Sequence, residues 1–138
     1  MADRIEHTLP MELLLAPEEP VALRTRLAYR RRDPFAVHIT FHTGVHAPVS
    51  WVFARDLLAL GMRERSGLGD VRVWPQGSGP DAVLNLTLSS PHGSARLRAS
   101  LPAMAEWLER TYLLVPAGGE SDELRLDAAL SRLLHGAA

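Results

Sequence analysis

The 138-residue sequence predicts an α+β fold in a single domain, residues 1–138: a curved, barrel-like antiparallel β-sheet packed with C-terminal helices. Three observations carry this. The first two thirds alternate apolar and polar residues with a period of two, the period of a half-buried strand. The final third switches to helical spacing. No period of 20–50 residues repeats, which sets solenoids and propellers aside.

The elements follow in order. A strand is expected near Met11 to Leu15, preceded by a flexible stretch over residues 1–8. From Val21 to Tyr29 the alternation is strict: Val21, Leu23, Thr25, Leu27 and Tyr29 face one way, Ala22, Arg24, Arg26, Ala28 and Arg30 the other. Asp33-Pro34 reads as a turn, after which Val37, Ile39 and Phe41 alternate with His38, Thr40 and His42. A turn over Gly44 to Pro48 leads to a third strand at Val49 to Phe53. Arg55 to Met62 reads as a short helix with Leu57, Leu58 and Met62 on its apolar side. Strands are expected at Asp70 to Trp74, Ala82 to Ser89 and Ser94 to Ala99, the last two joined by a Ser90-Pro91-His92-Gly93 hairpin loop.

Leu101, Met104, Ala105, Leu108 and Tyr112 then recur at helical spacing, with Ser100 and Pro102 as a start signal and Pro116 as a stop. Glu106 and Arg110 lie one turn apart and are placed to pair weakly. After the Ala117-Gly118-Gly119-Glu120-Ser121 loop, a second helix is expected to start near Asp127 and carry Leu130, Leu133 and Leu134 inward.

Composition removes whole classes of chemistry. There is no cysteine, so thiol nucleophiles, iron–sulfur clusters, thiolate zinc sites and disulfides are out. All 15 basic residues are arginine. Without lysine there is no Schiff base, no pyridoxal chemistry and no Walker-type or kinase lysine. No signal peptide is expected, and the longest apolar run, Leu13 to Ala16, is far shorter than the roughly 20 residues that span a bilayer, so a soluble, cytoplasmic protein without a transmembrane segment is expected.

Candidate sites are few. His38, His42 and His46 suggest a metal site by spacing, but on a strand His38 and His42 stand about 13 Å apart and cannot share an ion. No G-x-S-x-G elbow supports a hydrolase, and Gly67-Leu68-Gly69 precedes a strand where a dinucleotide fingerprint needs a helix. Glu18-Glu19 reads as a solvent-exposed, Pro-flanked turn. No catalytic residue, metal site or cofactor is therefore expected. The arginines are the stronger signal: Arg24, Arg26 and Arg30 share one strand face, Arg96 and Arg98 another, and Arg72 neighbours Trp74. Arginine beside an aromatic on a sheet suits single-stranded nucleic acid; the alternative is ion pairing on a solvated or inter-subunit face. Trp51, Phe53, Trp74 and Trp107 are expected to anchor the core or a subunit contact, and Gly118-Gly119 offers an adaptable loop for a partner.

Several runs, taken together, resemble one family. Asp33-Pro34-Phe35-Ala36-Val37, Trp51-Val52-Phe53-Ala54-Arg55-Asp56-Leu57-Leu58 and Gly69-Asp70-Val71-Arg72-Val73-Trp74-Pro75 are similar to signature stretches of the SsgA-like proteins. Leu88 to Gly93, Glu109-Arg110-Thr111 and Val115-Pro116 continue the match in order, covering about Leu9 to Leu134, with Phe35 standing where many members carry Tyr. The resemblance implies a Whirly-like fold and a homo-oligomer, expected to be a trimer. It further implies a non-enzymatic role in sporulation septation of actinobacteria, at division septum sites, with division proteins such as FtsZ or other SsgA-like proteins as partners. Nucleic-acid binding on the Arg24, Arg26, Arg72, Trp74, Arg96 and Arg98 face is the second implication.

Overall fold

The computed structural model describes residues 3–15, 19–44, 46–91 and 93–135. Its strands are β1 (Arg4–Leu13), β2 (Val21–Arg30), β3 (Asp33–His42), β4 (Val49–Ala54), β5 (Ser66–Leu68), β6 (Val71–Gln76), β7 (Val83–Ser90) and β8 (Gly93–Ser100). Its helices are α1 (Arg55–Gly61), α2 (Leu101–Leu114) and α3 (Glu120–His135). The fold is α+β, as the sequence predicts: one antiparallel sheet in the order β4-β3-β2-β1-β8-β7-β6-β5, curled into a half-barrel. It consists of two four-stranded meanders, each followed by a helix. The meanders meet where β1 pairs with β8 through only Glu12↔Arg98 and Leu13↔Leu97, against ten residue pairs between β1 and β2.

The alternation in the sequence decides which face is buried. Leu23, Thr25, Leu27 and Tyr29 of β2, Val37, Ile39 and Phe41 of β3, Leu84, Leu86 and Leu88 of β7, and Leu97 and Ala99 of β8 point into the core. Helix α2 covers part of this inner face with Met104, Trp107, Leu108 and Thr111. Ser100 caps α2, its side chain accepting from the Ala103 N–H at 3.3 Å. Helix α1 touches β3 and β4 on one side and β5 and β6 on the other, so it fills the gap between the two ends of the sheet. The approach is close enough that a Cβ on Gly61 would lie 2.4 Å from Val73 Cγ1.

The structure corrects several expectations. β1 begins at Arg4, well before Met11, because residues 4–13 pair continuously with β2. The β2–β3 turn falls at Arg31-Arg32, and Asp33-Pro34 opens β3. Pro34 offers no N–H to a ladder whose register shifts between Ala28 and Arg30, and its carbonyl accepts from the Tyr29 hydroxyl at 2.9 Å. The β7–β8 hairpin closes on Ser90↔Gly93 as expected, although His92 lies outside the described residues, as do Ala16 and Glu18. β5 was not foreseen; three residues are too short for a periodic signal.

The largest correction concerns α3. It starts at Glu120, with Asp127 inside it, and it does not bury its leucines: Leu130 is 45% exposed and Leu133 and Leu134 are each 76% exposed. Charge holds this helix where apolar packing was expected. Glu123 pairs with Arg31 at 3.4 Å and Asp127 with Arg32 at 3.9 Å, tying its first half to the β2–β3 turn. Glu106 and Arg110 do not come within ion-pairing distance of each other.

Candidate functional site

Strand pleating places Arg24, Arg26, Arg72, Trp74, Arg96 and Arg98 on the outer face of the sheet, opposite the core, as the period of two requires. They do not form one cluster. Arg98 is held by Glu12, its Nε donating to Oε1 at 2.9 Å across the seam between the meanders. Trp74, half-buried, has the guanidinium of Arg65 at 4.7 Å and that of Arg96 at 5.6 Å from its ring centroid. Arg72 lies opposite Gly67 on β5 and Thr87 on β7. Arg24 and Arg26 sit on the other meander and line a cleft with Thr8 and His42. His38, which shares the outer side of β3 with His42, pairs with Asp33 at 3.0 Å. Of the other aromatics, Phe53 and Trp107 are core and Trp51 packs partly buried against it.

Sequence reasoning missed a buried side chain with three hydrogen bonds, Arg55. Arg55, first residue of α1, is fully buried, its side chain 1% exposed. Its Nη1 donates to the carbonyls of Thr111 at 3.0 Å and Val115 at 2.8 Å, and its Nη2 to Glu120 Oε2 at 3.0 Å. The Tyr112 and Tyr29 rings lie 4.0 and 4.9 Å from its guanidinium carbon. Glu120 Oε1 in turn accepts from the Gly118 N–H at 2.7 Å. One side chain thus bonds a carbonyl in the last turn of α2 and that of its C-cap residue, and fixes the first residue of α3. The Gly118-Gly119 loop, read from sequence as adaptable, is tied down from both sides. Gly118 has φ +87°, a left-handed conformation that favours glycine.

The electrostatics of this node follow from burial. Burial by itself raises the Glu120 carboxyl, but its own backbone N–H, Arg55 and the Gly118 N–H outweigh that and hold it below its ordinary range. Burial pushes the Tyr29 and Tyr112 phenols up to about 12, helped at Tyr112 by its hydrogen bond to Asp56 Oδ1 at 3.0 Å. The only sequence signal of the node was a lone arginine within the apolar run Trp51 to Leu58, which has the pattern of an exposed helix start.

A second surface is equally distinct. Leu126, Leu130, Leu133 and Leu134 of α3 are exposed apolar side chains at helical spacing along one helix. Among the described residues no three His, Asp or Glu side chains gather, and no helix is long and apolar enough to cross a membrane.

The fold is thus a curled antiparallel sheet with α2 and α3 joined through a buried arginine and with leucines exposed on α3. Comparison with known proteins gives this architecture a family. The family described as Streptomyces sporulation and cell division protein, SsgA, matches residues 23–120. The "Sporulation-specific cell division protein SsgB" of Thermobifida fusca is 44% identical over 124 residues, 90% of either chain; that of Streptomyces coelicolor is 45% identical over 126 residues, 91% of this chain and 92% of the relative. A crystal structure of an SsgA-like sporulation-specific cell division protein from Thermobifida fusca superposes with a TM-score of 0.86 at 43% identity, covering 94% of each chain. The chain belongs to the SsgA family of sporulation and cell-division proteins, which is not an enzyme family.

Proposed function

We propose that the chain is a non-enzymatic adaptor of sporulation septation, a cytoplasmic homo-oligomer, expected as a trimer, that sits at septum sites and recruits division or wall-synthesis machinery. FtsZ is the expected partner, reached directly or through another SsgA-like protein. The observation that carries this reading is α3, which shows Leu126, Leu130, Leu133 and Leu134 to solvent while charged contacts hold its first half. Apolar side chains grouped on one exposed element mark an association surface. The family's role in division supplies the process in which that surface would act. The test is co-sedimentation of the purified protein with FtsZ polymers, with light scattering for its own assembly, for the native chain and for Leu130→Glu/Leu133→Glu. The adaptor reading expects assembly and co-sedimentation to fall in the variant. A native protein that neither self-associates nor meets FtsZ, and whose fluorescent fusion stays diffuse in sporulating cells, refutes it.

A second reading is favoured by Trp74, which lies between Arg65 and Arg96 on the outer sheet face. An indole with flanking guanidiniums is a stacking platform for single-stranded nucleic acid. Such binding would weaken steeply with salt and be lost in an Arg96→Ala/Trp74→Ala variant.

A further inference from the structure

We infer that the cleft between β1, β2 and β3 on the outer sheet face is a discrete binding site for a phosphoryl-bearing small molecule, its phosphate held by Arg24 and Arg26 with Thr8 and His42. The cleft measures about 270 Å³ and these four side chains line it. The register explains the convergence: Arg26 faces Thr8 on β1, and Arg24 faces His42 on β3. Two residues apart on the same face of β2, the arginines are rooted about 7 Å apart. That is the span of one phosphate accepting a hydrogen bond on either side.

What marks this site is that two arginines on one strand face both lack a counter-charge among the described residues. The carboxylates diagonal to it are taken: Glu6 by Arg4, Glu12 by Arg98. Asp33, at the far end of β3, holds His38. The residues directly opposite Arg24 and Arg26 on β1 and β3 are Pro10, His42, Thr8 and Thr40, none of them acidic. Among the described residues neither guanidinium has an ion pair or a hydrogen bond. Two adjacent cations without partners repel each other, and an anion between them relieves that repulsion. A phosphate presents more acceptor oxygens than a carboxylate and can engage donors arriving from three strands. The site is separate from the Trp74 platform, which lies four strands away across the sheet, roughly 19 Å at the usual strand spacing. No Trp, Tyr or Phe lines it, so charge dominates what it reads.

The experiment is calorimetric titration of the full chain with inorganic pyrophosphate and with ATP at low salt, followed by the shifts of the arginine side-chain N–H resonances. Arg24→Ala and Arg26→Ala are each expected to weaken pyrophosphate binding by about tenfold or more, the loss of a charge-assisted contact. Arg132→Ala removes the same charge from exposed α3 and should leave binding unchanged. A thymidine oligonucleotide is the third arm. Pyrophosphate binding that depends on Arg24 and Arg26, with oligonucleotide competing for it or not, supports the site. Three results overturn it: no pyrophosphate binding at low salt, equal weakening by Arg132→Ala, or oligonucleotide binding through Arg24 and Arg26 where pyrophosphate does not bind.

Discussion

Replacing Arg55 with methionine keeps most of the side chain's volume and removes its charge and every hydrogen bond it makes. Three acceptors lose the guanidinium together: the Thr111 carbonyl, which keeps the Val115 N–H at 2.9 Å, the Val115 carbonyl and Glu120. Glu120, 5% exposed, keeps only backbone N–H partners. Hydrogen bonds to a charged group contribute about 1.5–3 kcal/mol each, but these share one donor and do not add. Removing one member of a buried ion pair costs about 3–5 kcal/mol, because the other charge is stranded. We therefore expect Arg55→Met to destabilise the fold by roughly 4 kcal/mol, a drop in melting temperature of roughly 12 °C for a chain of this size. Glu120→Gln alone should cost less, since Arg55 keeps both carbonyls. The double variant should lose little more than Arg55→Met alone. Guanidinium chloride unfolding of all four proteins, followed by far-ultraviolet circular dichroism, completes the cycle. A loss under about 1 kcal/mol for Arg55→Met, or additivity in the double variant, would refute the view that this pair fastens α3 to the domain.

Further outcomes follow from the same structure. Glu120 titrates in the folded state below its ordinary value of 4.5, so its contribution is complete above that pH and is lost as pH falls through the lower, folded value. Acid unfolding of Glu120→Gln should accordingly show a shallower dependence on pH below 4.5. Tyr29 and Tyr112 behave in the opposite sense. Raised from 10.0 to about 12, they bind protons in the native state that the unfolded chain has released, so stability falls across that interval; spectrophotometric titration at 295 nm should show two tyrosines ionising late. Gly61→Ala should cost about 1–3 kcal/mol by thermal melting, because its Cβ would overlap the Val73 side chain between α1 and β6. Arg98→Ala, by contrast, breaks an ion pair whose partners are 37% and 47% exposed, and chemical unfolding should register at most about 1 kcal/mol.

What could be read from sequence was whatever alternation encodes. The inward set of β2, from Leu23 to Tyr29, and the outward arginines on the same strand follow from a period of two alone. The start of α2 at Ser100 and its end before Pro116 follow from capping chemistry. The misses lie where tertiary partners decide. Leu130 and Leu133 have helical spacing, and the period says that they share a side without saying whether any part of the chain covers it. Arg55 is silent for the same reason: an arginine at a helix start is usually solvated, and its partners Thr111, Val115 and Glu120 are 56, 60 and 65 residues away. The outer face was legible as a list of arginines, but its division into a Trp74 platform, a neutralised Arg98 and an unpartnered Arg24–Arg26 pair depends on cross-strand register.

The narrow junction between β1 and β8 bears on how the chain reaches its native state. Each meander is assembled from neighbouring hairpins whose partners are close in sequence, and such contacts form early at small entropic cost. The junction joins residues as far apart as Glu12 and Arg98, 86 positions along the chain, and it offers only two ladder pairs in return. Its closure is thus expected to be the late step, taken when two preformed half-sheets dock over a shared core. Loosening the seam ion pair with Glu12→Gln would then act mainly on the rate of unfolding, and substitutions inside a meander, such as Leu27→Ala, on the rate of folding.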